Sequence, residues 1–435
     1  MDKKEKSFGL WSAVFLWIWS MVWAWIFVLL WEAWAVAWNA VWISFILWWI
    51  IALLSWYSLA KLANTYPSRW WIVEYLVQCY WEWIFSWTIS VLFYISGMIW
   101  ISMVAKTFWT YWALLLDIDS STSINMIAII ILFIFVLINL VWSKLMAKSE
   151  NAIVITKITV LIIFTIATFF YIKPELLQIH NLFEDADVLY AIWLTFFAYE
   201  WFRVITNTVE DIENPQVNIL KSMIISISIV MILYISISLA VFWTLSLTEV
   251  ISAKDYALAE ATKPIFWQIW FTIMAITALI STSSSINANL YAIANVTYDM
   301  AKNWTLPKVY KKNIYNSNEW LLISFIFIWI CIIFFDLSAI ASIWAISMLF
   351  IHLLVHIWHL FKIKETKASK VLIYTTIIVI TLTIILAYSY SSKHINHIWY
   401  LLLASFVLAF VIEIILRLTL NRTIKANIKV NKIKQ

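Results

Sequence analysis

Ser20-Met-Val-Trp-Ala-Trp-Ile-Phe-Val28 is the stretch on which the reading of this chain turns. As written it continues an apolar helix. With Trp23 and Trp25 read as glycine, it becomes Gly-Ala-Gly-Ile-Phe, a place where backbone can leave helical geometry. Composition gives the reason for that substitution. The 435 residues include 32 Trp and only 2 Gly, whereas an average chain of this size carries about 7% Gly and membrane helices favour it further. Membrane Trp belongs in belts at the two water interfaces. Here Trp17, Trp19, Trp23, Trp25, Trp31 and Trp34 cover every face of one segment, and Trp48-Trp49 falls mid-segment. In Ala301-Lys-Asn-Trp-Thr-Leu-Pro307 a Trp sits where Asn-Gly would make an ordinary turn. The reading this favours is that UGA codons meaning glycine in the source are rendered here as Trp, with Trp11 and Trp42 as candidates for genuine tryptophan. The alternative is a protein truly rich in Trp.

Hydrophobic residues make up 64% of the chain and charged residues 12%. That balance excludes a soluble domain and predicts an all-α integral membrane protein. Apolar runs predict about twelve spans, near residues 10–31, 39–62, 82–112, 124–142, 151–172, 188–208, 219–245, 265–298, 320–335, 338–361, 371–390 and 397–419. Lys and Arg then fix orientation. With the N-terminus inside, the outer loops hold only Lys106, Lys173, Lys254, Lys263 and Lys393, beside acids such as Asp117, Asp119, Glu184, Asp185 and Asp187. The other flanking basic residues fall on the cytoplasmic side, which predicts a multi-pass plasma membrane protein with both termini cytoplasmic. The same residues are spread over short membrane-flanking segments, so they do not predict nucleic-acid binding. Cys79 and Cys331 lie in separate apolar stretches and suggest neither a disulfide framework nor a metal site. No cleavable signal peptide is expected, and no cofactor.

Ionisable residues inside spans are functional candidates by default. Lys157 lies about two helical turns into the fifth span; the alternative is that it snorkels to the interface. The sixth span carries Thr195-Phe-Phe-Ala-Tyr-Glu-Trp-Phe-Arg203. There Glu200 and Arg203 are spaced to meet on one face, as a gate or as a structural ion pair. With Trp read as Gly, the first and sixth spans are both interrupted, five spans apart. Paired interruptions of this kind point to a transporter built from inverted repeats. The freed N–H groups at such a break suit a carboxylate and the freed C=O groups an ammonium, which together suit a zwitterion. His352, His356 and His359 share a helical face, but no acid accompanies them, so an interfacial polar face competes with metal binding.

These stretches resemble the amino acid–polyamine–organocation (APC) superfamily. Trp23-Ala-Trp-Ile-Phe27 is similar to its small-x-Gly-Ile-Phe motif once Trp23 and Trp25 are read as Gly. Tyr66-Pro-Ser-Arg-Trp-Trp71, Phe196-Phe-Ala-Tyr-Glu-Trp201, Glu210-Asp-Ile-Glu-Asn-Pro215 and Tyr298-Asp-Met-Ala-Lys-Asn-Trp-Thr-Leu-Pro307 resemble further family segments. The resemblance implies a five-plus-five inverted repeat, the leucine-transporter-like fold, with discontinuous helices 1 and 6. Residues 1–9 would be a cytoplasmic N-terminus, 10–172 the first repeat and 173–361 the second. Helices 11 and 12 would occupy 362–420, and 421–435 would be a basic tail.

It also implies substrate binding by Val22, Trp23, Ala24, Trp25 and Ile26 with Phe197, Ala198 and Tyr199, Phe197 acting as an aromatic gate. Lys157 would couple protons, faced by Ser281, Thr282, Ser284 and Ser285 of helix 8, although such residues also serve as ordinary helix–helix glue. Arg203 and Ala294-Asn295 depart from the family pattern. The expected function is secondary active amino acid transport by alternating access, a proton symport with amino acid and proton as its partners. An exchanger without proton drive, and a non-transporting sensor or complex subunit, are the alternatives; no enzymatic activity is expected.

Overall fold

The computed structural model describes residues 9–22, 25–28, 30–66, 75–76, 84–116, 121–173, 187–199, 212–302, 313–314, 317–318 and 320–420. Apolar runs without internal Pro become helices. In order they are α1 (Leu10–Met21), α2 (Trp25–Val28), α3 (Leu30–Ala37), a 3₁₀ turn (Trp38–Ala40), α4 (Val41–Thr65), α5 (Ile84–Leu116) and α6 (Ser121–Thr168). There follow α7 (Asp187–Tyr199), α8 (Pro215–Phe242), α9 (Leu247–Ala253), a second 3₁₀ turn (Lys254–Tyr256), α10 (Ala257–Glu260) and α11 (Lys263–Lys302). The last four are α12 (Trp320–Phe334), α13 (Leu337–Thr366), α14 (Lys370–His394) and α15 (Ile398–Leu420). Asn313–Ile314 and Ser317–Asn318 pair as a two-residue antiparallel ladder ahead of α12.

Among the described residues, seven stretches are long and apolar enough to cross a bilayer: Leu30–Thr65, Ile84–Leu116, Val217–Phe242, Trp267–Asn287, Leu337–Thr366, Lys370–His394 and Ile398–Leu418. Two of these, Ile84–Leu116 and Leu337–Thr366, are the most enclosed by other helices. They form the centre of the bundle: α5 packs against α11, α13 and α15, while α13 packs against α4, α5 and α14. On the other side α1 and α4 pack on α8, and α3 and α4 pack on α7.

One expectation is not met as stated. Two separate spans were expected near 124–142 and 151–172, yet α6 runs unbroken over 48 residues. At about 1.5 Å per residue it is roughly 72 Å long, more than twice the hydrocarbon core of about 30 Å. The physical reason lies in Trp142-Ser-Lys-Leu-Met-Ala-Lys-Ser-Glu150, which as written contains neither Gly nor Pro to stop a helix.

The tryptophans carry a cost visible in the packing. The indole Nε1 atoms of Trp25, Trp34, Trp48 and Trp109 are buried and, among the described residues, have no hydrogen-bond acceptor. Each such orphaned donor costs about 1–3 kcal/mol. Trp38 and Trp267 adopt positive φ, 42° and 57°, a left-handed conformation that costs roughly 1–2 kcal/mol for a residue with a Cβ and nothing for glycine. Trp11, by contrast, is 60% exposed at the start of α1 and meets Phe15 at 6.4 Å between ring centroids, as a surface tryptophan would.

Candidate functional site

Helical geometry stops in the middle of the first apolar segment. The N–H of Val22 still closes on the carbonyl of Ile18, but Val22 itself has φ −79° and ψ 68°, outside the helical region. Trp25–Val28 is helical again. Stopping a helix inside an apolar bundle frees carbonyls that water cannot reach. One of them is satisfied from another helix: the Tyr234 hydroxyl of α8 donates to the Met21 carbonyl at 2.9 Å.

Val22, Trp25 and Ile26 are all buried. The Trp25 ring fills the space beside the break, 5.1 Å from Tyr234 and 5.8 Å from Phe45 between centroids. Trp23 and Ala24 lie outside the described residues.

The sixth span supplies α7. Its last turn contains Phe197, Ala198 and Tyr199, and the helix packs against α2, α3 and α4. The two elements expected to share a substrate are therefore neighbours. Polar ties hold α7 on α4: the Ser44 hydroxyl donates to the Val188 carbonyl at 2.7 Å, and the Thr195 hydroxyl reaches the Ser44 carbonyl at 3.3 Å. Phe196 sits within an aromatic group, 5.0 Å from Trp48, 5.6 Å from Trp344 and 6.3 Å from His352. Glu200 and Arg203 lie outside the described residues, as does the expected break at Trp201.

Lys157 is 1% exposed on α6, so it is enclosed by protein. α6 packs along α11, where Ser281, Thr282, Ser284 and Ser285 are all buried. The Thr282 hydroxyl returns to the Ala278 carbonyl at 2.7 Å, within its own helix. Asn287 and Asn289 extend this buried polar face, and the Asn289 amide donates to the Ser285 carbonyl at 2.7 Å. Sequence reading missed the two asparagines, although Asn289 stands four residues after Ser285 and thus on the same face.

A second polar cluster was missed altogether. Glu32, near the start of α3, is 8% exposed and accepts a hydrogen bond from the Ser338 hydroxyl. The Lys106 ammonium donates to the Phe335 carbonyl, and the Asp336 carboxylate caps α13 at Ala339 N–H, 2.6 Å away. Asp255 stands in the 3₁₀ turn that packs against α3 and α5. Burial pushes its carboxyl up to about 6, against the opposing pull of the Trp31 hydrogen bond, Lys254 and Lys106. The available signal was Glu32 itself, an acid inside an apolar run.

The three histidines of α13 do not form an interfacial face. His352, His356 and His359 are 2%, 0% and 0% exposed, because α4, α5 and α14 surround that helix.

A bundle of apolar helices, one of them broken in its interior and another carrying a buried lysine, defines a multi-pass membrane protein of the transporter class. The chain belongs to the amino acid permease family, whose profile matches residues 8–416. An uncharacterised protein of Methanocaldococcus jannaschii is 31% identical over 412 residues, covering 94% of each chain. The inner membrane transport protein YbaT of Escherichia coli is 27% identical over 392 residues, 89% of this chain and 91% of its own. The methylthioribose transporter of Bacillus subtilis is 26% identical over 172 residues, 38% of this chain and 35% of its own. The family points to a transporter rather than an enzyme.

Proposed function

We propose that this protein is a secondary active transporter that carries an amino acid across the plasma membrane by alternating access, with a proton as coupling ion. The observation that carries the reading is the end of α1 at Met21, with Val22 outside the helical region and Tyr234 holding the Met21 carbonyl. Backbone groups released at such a point recognise a carboxylate and an ammonium together. In this reading residues 22–26 bind the substrate, with Phe197, Ala198 and Tyr199 completing the site and Phe197 closing over it. Glu200 and Arg203 form the adjacent ion pair. Twelve spans, arranged as repeats over 10–172 and 173–361 with helices 11 and 12 after them, place both termini in the cytoplasm.

Lys157 is the proton carrier, and Ser281, Thr282, Ser284 and Ser285 line the helix opposite. Its burial supports this, since an ionisable side chain enclosed within a span is costly and marks a functional position by default. Trp23, Trp25 and Trp201 stand for glycine in this reading, which frees the space their indoles would fill.

Uptake into proteoliposomes by a protein carrying Gly at 23, 25 and 201, tested with labelled amino acids under an imposed pH gradient, decides the matter. Accumulation that collapses with the gradient is the expected result. Equal counterflow with and without the gradient would leave exchange as the activity.

A further inference from the structure

The three histidines play no part in that mechanism, yet two of them stand in an unbroken chain of buried hydrogen bonds between α4 and α13. Ser55 Oγ lies 2.9 Å from His356 Nε2. His356 Nδ1 lies 2.8 Å from Ser58 Oγ, and Ser58 Oγ lies 2.7 Å from His359 Nδ1. His359 Nε2 lies 2.8 Å from Thr366 Oγ1, whose hydroxyl donates to the Lys362 carbonyl at 3.1 Å. Every side chain in the series is 5% exposed or less.

Donor and acceptor counting fixes one direction for the whole chain. A carbonyl only accepts, so Thr366 spends its proton on Lys362 and must accept from His359 Nε2–H. A neutral His359 then accepts at Nδ1 from the Ser58 hydroxyl. Ser58 accepts from His356 Nδ1–H, and His356 Nε2 accepts from the Ser55 hydroxyl. All groups are satisfied with both imidazoles neutral, and all the donors point toward Thr366.

Thr366 is the last residue of α13, and the following Lys367 turns into the left-handed region. At the other end His352 stands 6.2 Å from His356 between ring centroids and packs edge-on against Phe196, the residue before the proposed gate. About 1.5 Å per residue separates His352 from Thr366 by roughly 21 Å along the helix. The titratable groups acting on the two imidazoles are His352 on the same helix and Lys61 on α4.

We propose that Ser55, His356, Ser58, His359 and Thr366 form a proton relay between the aromatic group around Phe196 and the end of α13. A proton arriving at His356 Nε2 releases the one on Nδ1 to Ser58 Oγ. Ser58 passes its own to His359 Nδ1, and His359 Nε2–H passes to Thr366 Oγ1, whose hydroxyl turns from the Lys362 carbonyl and gives its own proton to water at the end of α13. One proton enters and one leaves, and rotation of the hydroxyls and tautomer exchange restore the starting order. The relay rests on the proton-coupled reading above.

The test uses the full chain, carrying Gly at 23, 25 and 201 as above, in proteoliposomes with a radiolabelled mixture of neutral amino acids and an entrapped pH-sensitive dye. Ser58→Ala removes the central link without adding volume. It should cut proton influx coupled to uptake by about a hundredfold, a typical contribution of a positioned proton-transfer group, while counterflow at equal pH survives. Ser58→Thr should restore the influx. His359→Gln, which keeps a polar side chain but cannot relay, should behave as Ser58→Ala does. Coupled proton influx retained in both Ser58→Ala and His359→Gln overturns the relay and leaves the coupling reading intact. Loss of counterflow in step with influx reduces the chain to a clamp between helices and likewise overturns it. A wild-type protein that moves amino acids without protons overturns the coupling reading, and the relay with it.

Discussion

The Tyr234 hydroxyl donates to the Met21 carbonyl at 2.9 Å, joining residues 213 apart in the chain. That bond compensates a carbonyl which the end of α1 leaves without an intrahelical partner in a place closed to water. Tyr234→Phe removes the donor and keeps the ring that packs on Trp25 and Phe45. A buried acceptor left unsatisfied costs about 1–3 kcal/mol. Uptake at low substrate concentration is expected to fall by about tenfold, since the loss bears directly on the geometry of the break. Wild-type kinetics in Tyr234→Phe would detach this bond from the substrate site.

Lys157→Ala is expected to abolish pH-gradient-driven uptake while leaving residual exchange of substrate for substrate. The lysine is enclosed by protein, so its loss changes the charge balance of the interior and not of a surface. Initial rates with and without an imposed gradient measure the effect. A gradient-dependent rate equal to wild type would remove Lys157 from the coupling mechanism.

Trp38 and Trp267 provide a direct reading of the coding problem. Both have positive φ, so Trp38→Gly and Trp267→Gly should each stabilise the purified protein by about 1 kcal/mol through relief of backbone strain. Trp399 is helical and 45% exposed, with no such strain, and Trp399→Gly should cost about 1 kcal/mol. Thermal unfolding in detergent compares the three. The coding DNA gives an independent answer: TGA is expected at 38 and 267.

Ser246 caps α9 in a reciprocal arrangement. Its hydroxyl accepts from Glu249 N–H at 3.4 Å, and its own N–H donates to the Glu249 carboxylate at 2.6 Å. Ser246→Ala should destabilise this segment by about 1 kcal/mol. The backbone hydrogen bond from Ser246, followed by the side-chain one, holds the Glu249 carboxyl below its ordinary value, with Lys173 assisting and burial opposing. A depressed carboxyl contributes stability that is complete above the ordinary carboxylate range and lost as pH falls through the lowered value. The difference between wild type and Ser246→Ala should therefore shrink in acid, which a melting series from neutral to acidic pH will register.

Spans were legible in the sequence because an apolar run long enough to cross a bilayer has few other uses. The ends of α8, α11, α13, α14 and α15 fall within a few residues of the expected ones. The interruption near residue 22 was legible only by treating Trp23 and Trp25 as glycine. The unbroken α6 was not, since the gap expected between the spans ending at 142 and starting at 151 carries no helix breaker as written. The Glu32–Ser338 tie and the serine–histidine chain join residues about three hundred positions apart. No local spacing reveals such pairs. The histidines announced a shared face, but the partners on α4 that give it a role, Ser55 and Ser58, looked like ordinary small polar residues of an apolar helix.

The bond between Ser338 and Glu32 fastens an eight-residue half-helix to the first turn of α13. Tilting that segment away from α13 parts this contact. Glu32→Cys with Ser338→Cys, bridged by a short thiol-reactive linker, would therefore shackle the half-helix and halt turnover. Either single cysteine, treated with the same reagent, would leave the protein free to cycle.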